Sequence, residues 1–150
     1  MSGPNVFIGV DPGASGGIVF LDDAGIVAHK MPATERDVWD VFAGQWGVEA
    51  FAMIESVHSM PGQGVSSSFR FGMSYGMLRG ILTASGIPWE TVTPQKWQRE
   101  LGVLKKKGHS KTQHKNALKS KAQQLFPQEK WTLATCAAGL IAEYARRVHI

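Results

Sequence analysis

The sequence contains little cysteine and no long apolar run. Its one cysteine, Cys136, excludes an internal disulfide and a zinc site built from cysteines. No apolar stretch approaches the roughly 20 residues of a membrane-spanning helix. The first residues also lack the basic and apolar segments of a signal peptide. We therefore expect a single domain over residues 1–150, cytoplasmic and without a membrane partner.

Positive charge is concentrated in one segment. Residues 96–121 hold nine Lys or Arg and one acid, a net charge of +8, whereas the rest of the chain has seven basic and eleven acidic residues, a net charge of −4. Such a segment indicates a polyanionic partner such as nucleic acid, the alternative being a solvated charged surface. The candidate phosphate contacts are Lys105, Lys106 and Lys107 in a predicted loop and Lys111 and Lys115 on a predicted helix over 111–126.

Two apolar runs end in a carboxylate. Residues 6–10 read as a strand that ends at Asp11, and residues 50–54 read as a strand that ends at Glu55. A glycine-rich turn follows Asp11, and two further predicted strands, 18–21 and 26–30, complete an antiparallel meander. Asp11 and Glu55 could lie side by side and share a Mg²⁺ ion. Alternatively, each acid is satisfied separately, with Asp11 accepting hydrogen bonds from turn amides.

A glycine-rich helix is predicted after the second acid, from about residue 66 to 84. Its Gly72, Gly76 and Gly80 repeat every four residues, which predicts close approach of a second backbone, either the chain's own sheet or a partner helix. Met73 and Met77 lie beside this stripe. At the start of the helix, the candidates for stacking on DNA bases or for core packing are Phe69 and Phe71, with Arg70 between them as a DNA contact.

Further predicted elements are a helix capped by Thr34 and running to about residue 45, a strand over 88–93, and helices over 94–101 and about 132–148. The last helix is expected to place Leu133, Leu140 and Tyr144 on its apolar side.

The IGVDPG motif at residues 8–13, Glu55 at the end of the fourth strand and the order of the later elements resemble the RuvC-type Holliday junction resolvases of the RNase H-like superfamily. The closing LIAEYARR at residues 140–147 looks most like the small phage-type members. The resemblance implies an α/β, RNase H-like fold. Its central mixed five-stranded sheet has the three-strand antiparallel meander plus parallel strands, flanked by helices.

The resemblance also implies a homodimeric endonuclease that cuts four-way or branched DNA with Mg²⁺, or Mn²⁺ in its place. Acids at positions 11, 55 and 137 would hold two metal ions that activate water and stabilise the departing oxygen. The glycine-rich helix, through Gly72, Met73, Gly76, Met77 and Gly80, is the candidate dimer interface.

One position departs from the family pattern. Position 137, where the family carries an acid on its last helix, is Ala137, and the residues before it, Leu133 and Ala134, cannot bind a metal either. This predicts a catalytically impaired chain, and the alternative is a native core alanine. The functions left open are a junction resolvase, a junction-binding protein without catalysis and, less favoured because the chain is short, a fragment of an actin-like ATPase.

Overall fold

The structure, a computed structural model, describes residues 3–45, 48–56 and 62–149. In these ranges the chain forms five strands and five helices. Their bounds are β1 Val6–Asp11, β2 Gly17–Asp22, β3 Gly25–Lys30, α1 Glu35–Ala43, β4 Ala50–Glu55, α2 Val65–Ala84, β5 Trp89–Val92, α3 Pro94–Glu100, α4 Lys111–Leu125 and α5 Cys136–Val148. Among the described helices, none is long and apolar enough to cross a membrane.

Side-chain caps explain where two of the helices begin. The Thr34 hydroxyl accepts a hydrogen bond of 3.1 Å from the Asp37 amide at the start of α1, as predicted. At the start of α4, Ser110 and Gln113 form a capping box, in which each side chain accepts from the other residue's backbone amide. Both helices therefore begin at positions that local sequence determines.

The strands form one mixed sheet in the order β3-β2-β1-β4-β5. Strand β1 pairs antiparallel with β2 and parallel with β4, β2 pairs antiparallel with β3, and β4 pairs parallel with β5. This arrangement confirms the predicted meander and parallel strands. Because β1 and β4 are parallel, their carboxyl ends reach the same edge of the sheet.

Helices cover both faces of the sheet. Alternate side chains of β1 point to opposite faces, so Phe7 packs in a core with α3, α4 and α5, whereas Ile8 and Val10 pack in a second core with α1 and α2. With both faces buried, the central strands are continuous apolar runs rather than alternating ones.

Helix α5 lies almost directly on the backbone of the central strands. A Cβ added to Gly9 of β1 would stand 2.0 Å from the Ala138 carbonyl oxygen and 2.4 Å from the Ala142 nitrogen. A Cβ on Gly17 of β2 would stand 2.8 Å from the Ala134 carbonyl oxygen. Only glycine allows this approach, which holds the start of α5 over the end of β1.

The predicted start of the last helix was wrong by about one turn. Residues 132–135 form a turn, and α5 begins at Cys136. The Thr135 hydroxyl accepts from the Thr132 amide at 3.2 Å, a local bond that competes with helix formation. Leu133 therefore lies outside the helix and is 43% exposed, instead of packing on its apolar side.

We expect Gly9→Ala to destabilise the protein by about 3 kcal/mol or more, because the added methyl overlaps main-chain atoms of α5 that cannot rotate away. Urea unfolding measures this. Gly44→Ala is the matched control, since Gly44 is exposed with a φ of −66° and should change stability by less than about 0.5 kcal/mol. Equal effects of the two variants would contradict the close contact.

Candidate metal and nucleic-acid site

Asp11 and Glu55 are neighbours at the carboxyl ends of two parallel strands. The register pairs Val6 with Ala50 and Val10 with Ile54, so the next step along both strands brings Asp11 beside Glu55. Adjacent strands lie about 4.8 Å apart, and residues at matched positions point to the same face of a sheet. Both side chains are half-buried on the face covered by α3, α4 and α5.

The surroundings make ionisation of this pair unfavourable. Burial, together with the nearby Glu55 charge, raises the pKa of Asp11 to about 7, although the charge of Lys115 acts in the opposite direction. Burial also raises the pKa of Glu55, although the hydrogen bond from Trp97 and the charge of Lys115 counteract it. The Trp97 Nε1 donates to Glu55 Oε2 at 2.8 Å and so orients this carboxylate.

The turn-amide interpretation of Asp11 finds no support. In residues 3–45, 48–56 and 62–149, no group donates a hydrogen bond to the Asp11 carboxylate. The glycine-rich turn is instead stabilised by a hydrogen bond within its own backbone, in which Gly16 N donates to Gly13 O at 3.0 Å. Two neighbouring half-buried carboxylates, of which only Glu55 accepts a hydrogen bond from a described residue, form an environment in which a divalent cation binds favourably.

Position 137 lies in the first turn of α5, near the acid pair. Gly17, which pairs with Asp11 across β1 and β2, packs against Thr135, and the Cys136 thiol lies close enough to Asp11 and Lys115 for their charges to act on it. Burial raises the pKa of this thiol. Ala137 follows at once and is 5% exposed.

The two acids nearest to position 137 in the sequence, Glu129 and Glu143, have partners elsewhere. Glu129 accepts from the backbone amide of Ala28 at 3.1 Å and so covers the edge strand β3. Glu143 forms ion pairs with Arg146 at 2.6 Å and Arg147 at 2.7 Å, and these hold its pKa below the usual value against the opposing effect of burial. Across the part of the chain that the structure describes, no group of three His, Cys, Asp or Glu could hold a metal ion.

The predicted phosphate contacts occupy two distinct environments. Lys105, Lys106 and Lys107 are exposed in the loop between α3 and α4. On α4, Lys111 is exposed, whereas Lys115 is half-buried and its charge acts on both carboxylates. The basic helix therefore begins beside the acid pair.

The three candidates at the start of α2 differ in exposure. Phe69 is 68% exposed and Arg70 is exposed, so both can reach a ligand. Phe71 is half-buried, and a Cβ added to Gly13 would lie 3.3 Å from its ring. Phe71 thus packs on the glycine-rich turn that follows Asp11.

The glycine stripe of α2 faces away from the chain's own sheet. Among the described residues, a Cβ added at Gly72, Gly76 or Gly80 would meet nothing within 4 Å, so the interpretation of packing on the sheet is wrong. Met73 is 58% exposed and Met77 is half-buried. The side of α2 that does pack on the sheet carries instead Leu78 and Leu82.

Sequence reasoning missed Trp97 and the position of Cys136. The sequence does contain a signal for Trp97, because a buried indole N–H needs a hydrogen-bond acceptor. Few acidic side chains on buried strands precede Trp97, so few side chains are candidates for that acceptor. No local signal identifies Cys136, since its position near Asp11 depends on how α5 crosses the sheet.

No family model matches the sequence, and no curated protein matches it. The structure is similar to that of Thermus thermophilus RuvC in complex with Holliday junction substrate, with a TM-score of 0.62, 14% identity and coverage of 95% of this chain and 96% of that chain. A second structure of Thermus thermophilus RuvC gives a TM-score of 0.59 at 13% identity, with the same coverage. These likenesses confirm the predicted fold: the chain has the mixed five-stranded sheet and flanking helices of the RuvC-like, RNase H-like fold.

Proposed function

We propose that this protein is a Holliday junction resolvase, which binds four-way or branched DNA as a homodimer and is catalytically impaired as given. The observation that carries the proposal is the in-register pair Asp11 and Glu55 beside the basic helix α4. The RuvC-like fold over 95% of the chain supports it and disfavours an actin-like ATPase fragment. We further propose that residues 1–150 act as one domain, as in a small phage-type enzyme.

Asp11 and Glu55 suit a divalent cation, Mg²⁺ or Mn²⁺. Their mutual repulsion and burial, which raise the pKa of Asp11 to about 7, would be relieved by a dication between them. Mg²⁺ is commonly held by one or two carboxylates together with substrate phosphates. When bound, it supplies polarisation of a water nucleophile and stabilisation of the departing oxygen in phosphodiester cleavage.

The chain's own residues would position DNA at this site. Lys105, Lys106 and Lys107 are exposed in the loop before α4 and Lys111 is exposed at its start, and these lysines would neutralise backbone phosphates without reading sequence. Phe69 is exposed at the start of α2 and would stack on bases opened at the crossover, a contact typically contributing about 1–3 kcal/mol per base.

A junction-binding protein without catalysis is the second candidate, and Ala137 favours it. An alanine in the first turn of α5 leaves two carboxylates where the resemblance implies a third. Binding would then survive in the basic segment while cleavage is lost. Restoring an acid at position 137 distinguishes the two candidates.

We expect Ala137→Asp to raise Mg²⁺-dependent cleavage of a four-way junction by about 10- to 100-fold over the unaltered chain. Ala137→Asn is the matched control, because it adds similar volume without the charge. Asp11→Asn in the Ala137→Asp background should abolish the gain. Cleavage is followed on labelled junction strands, in parallel with gel shifts on junction and linear duplex.

Two outcomes would contradict these assignments. Rapid Mg²⁺-dependent nicking by the unaltered chain would show that the third ligand lies elsewhere, and Ala137→Asp should then change little. Equal affinity for the junction and for a linear duplex would remove the junction-binding function itself.

The stability of the protein should fall as pH rises from 3.8 to about 7, because folded Asp11 retains a proton that the unfolded chain has released. Added Mg²⁺ competes with this proton. It should therefore raise the melting temperature at about pH 8 and have little effect at about pH 5.

Asp11→Asn should remove both effects and raise the unfolding free energy at about pH 8 by more than 1.4 kcal/mol, the equivalent of one pKa unit. Asp40→Asn, an exposed carboxylate on α1, is the matched control. Calorimetry at the two pH values provides the readout. A stabilisation by Mg²⁺ that is equal at both would argue against a cation on this pair.

The proposed dimer uses the open stripe of α2. Gly72, Gly76 and Gly80 leave room for a second helix, and two exposed apolar side chains, Phe69 and Met73, flank them. A two-fold homodimer would present two sites to a junction of near two-fold symmetry.

We expect Gly76→Leu to block dimerisation through overpacking and to reduce affinity for the junction to that for a linear duplex. Gln124→Leu, at an exposed position of α4, controls for the added apolar side chain. Sedimentation measures the oligomeric state. An unaltered chain that sediments as a monomer, both free and with junction DNA, would refute the interface.

A further inference from the structure

A cleft lies close to the acid pair, between the glycine-rich turn, the end of β3 and the start of α4. Its volume is about 450 Å³. Lysines from two distant parts of the chain line it, Lys30 from β3 and both Lys111 and Lys115 from α4, together with the hydroxyl residues Ser15 and Thr112. Of the described residues that line this cleft, none is acidic, so its lining suits an anion.

Lys30 reaches the cleft because of the strand pairing, not because of its neighbours in sequence. It pairs with Gly17 at the end of the β2–β3 hairpin, and the following amide, Met31 N, donates to Gly16 O at 2.9 Å. These contacts hold the end of β3 against the turn after Asp11. Lys30 therefore joins the positive charge of α4 although it lies far outside residues 96–121.

The start of α4 adds to the positive potential. Lys111 and Lys115 lie one turn apart on the same side of the helix, and the amino-terminal end of this 15-residue helix carries a partial positive charge. The hydroxyl of Thr112 in the first turn supplies a neutral donor beside them. Lysine ammonium groups and hydroxyls suit the oxygens of a phosphate.

Lys115 connects the cleft to the acid pair. It lines the cleft, and its charge also acts on both Asp11 and Glu55. An anion in the cleft thus lies next to the carboxylates. A larger cleft of about 900 Å³, lined by Arg70 and Phe71 among others, also has Lys30 in its lining, so the two clefts share Lys30.

We infer that the lysine cleft binds a backbone phosphate of the DNA strand next to the one presented to Asp11 and Glu55, and that Lys30 is a DNA-binding residue. This inference rests on the proposed function. The cleft would position a strand across the acid pair, with Lys30 holding it where the two clefts meet. Phosphate contacts of this kind fix position and contribute no sequence preference.

The test compares Lys30→Gln with Lys130→Gln, which removes the same charge from an exposed residue outside both clefts. Lys30→Gln should weaken junction binding by roughly fivefold to tenfold and lower the dependence of log affinity on log salt by about 1. Lys130→Gln should change neither. An unchanged affinity and salt dependence in Lys30→Gln overturns the inference.

Neutral methylphosphonate linkages, placed one at a time near the crossover, locate the phosphate. At one position the substitution should weaken binding by the unaltered chain but cause no further loss in Lys30→Gln, the coupling expected of a direct contact. Additive losses at every position count against the assignment.

Inorganic phosphate distinguishes a DNA phosphate from a free anion. If it shifts the amide resonances of Ser15 and Thr112 while Lys30→Gln binds the junction normally, the cleft is a free-anion site and the DNA assignment is overturned. If the unaltered chain binds no junction, the proposed function fails. The same resonances then report separately whether the cleft binds an anion.

Discussion

The site depends on the close contact between α5 and the central strands. Gly9 and Gly17 bring main-chain atoms of the sheet and of residues 134–142 into contact, with no side chain between them. This contact places the start of α5 over the end of β1. It also brings the first turn of α5, and with it position 137, near Asp11. A larger residue at Gly9 would move the helix off the sheet and separate the elements that build the site.

The buried carboxylates carry an electrostatic cost that the surrounding residues only partly offset. Asp11 and Glu55 lie beside each other at the ends of parallel strands, where burial and mutual repulsion favour the protonated form of Asp11. The Lys115 ammonium opposes this effect on Asp11, and it and the Trp97 indole oppose the raised pKa of Glu55, in neither case cancelling it. Within the described residues this pair forms no salt bridge, which is consistent with a cation site, and it explains why a basic helix packs close to it.

Much of the fold was predictable because it follows from local sequence patterns. The apolar runs that end at Asp11 and Glu55, the Thr34 cap and the start of the basic helix at Lys111 all appear as expected. The start of α5 was not predicted correctly, because hydrogen bonds between Thr132 and Thr135 compete with helix formation over one turn. The sequence also left undetermined what packs against the glycine stripe of α2, since a four-residue repeat of small residues does not specify which backbone approaches it.

By itself, the sequence determined the strands that end in acids, the basic segment 96–121 and the alanine at position 137. Each is a property of neighbouring residues, and periodicity or composition is enough to identify it. The tertiary structure determined which of these features lie close together. The parallel register of β1 and β4 brings Asp11 beside Glu55, and the β2–β3 hairpin carries Lys30 to the lysines of α4. This proximity depends on strand pairing and helix packing between residues distant in sequence, for which the local sequence contains no periodic signal.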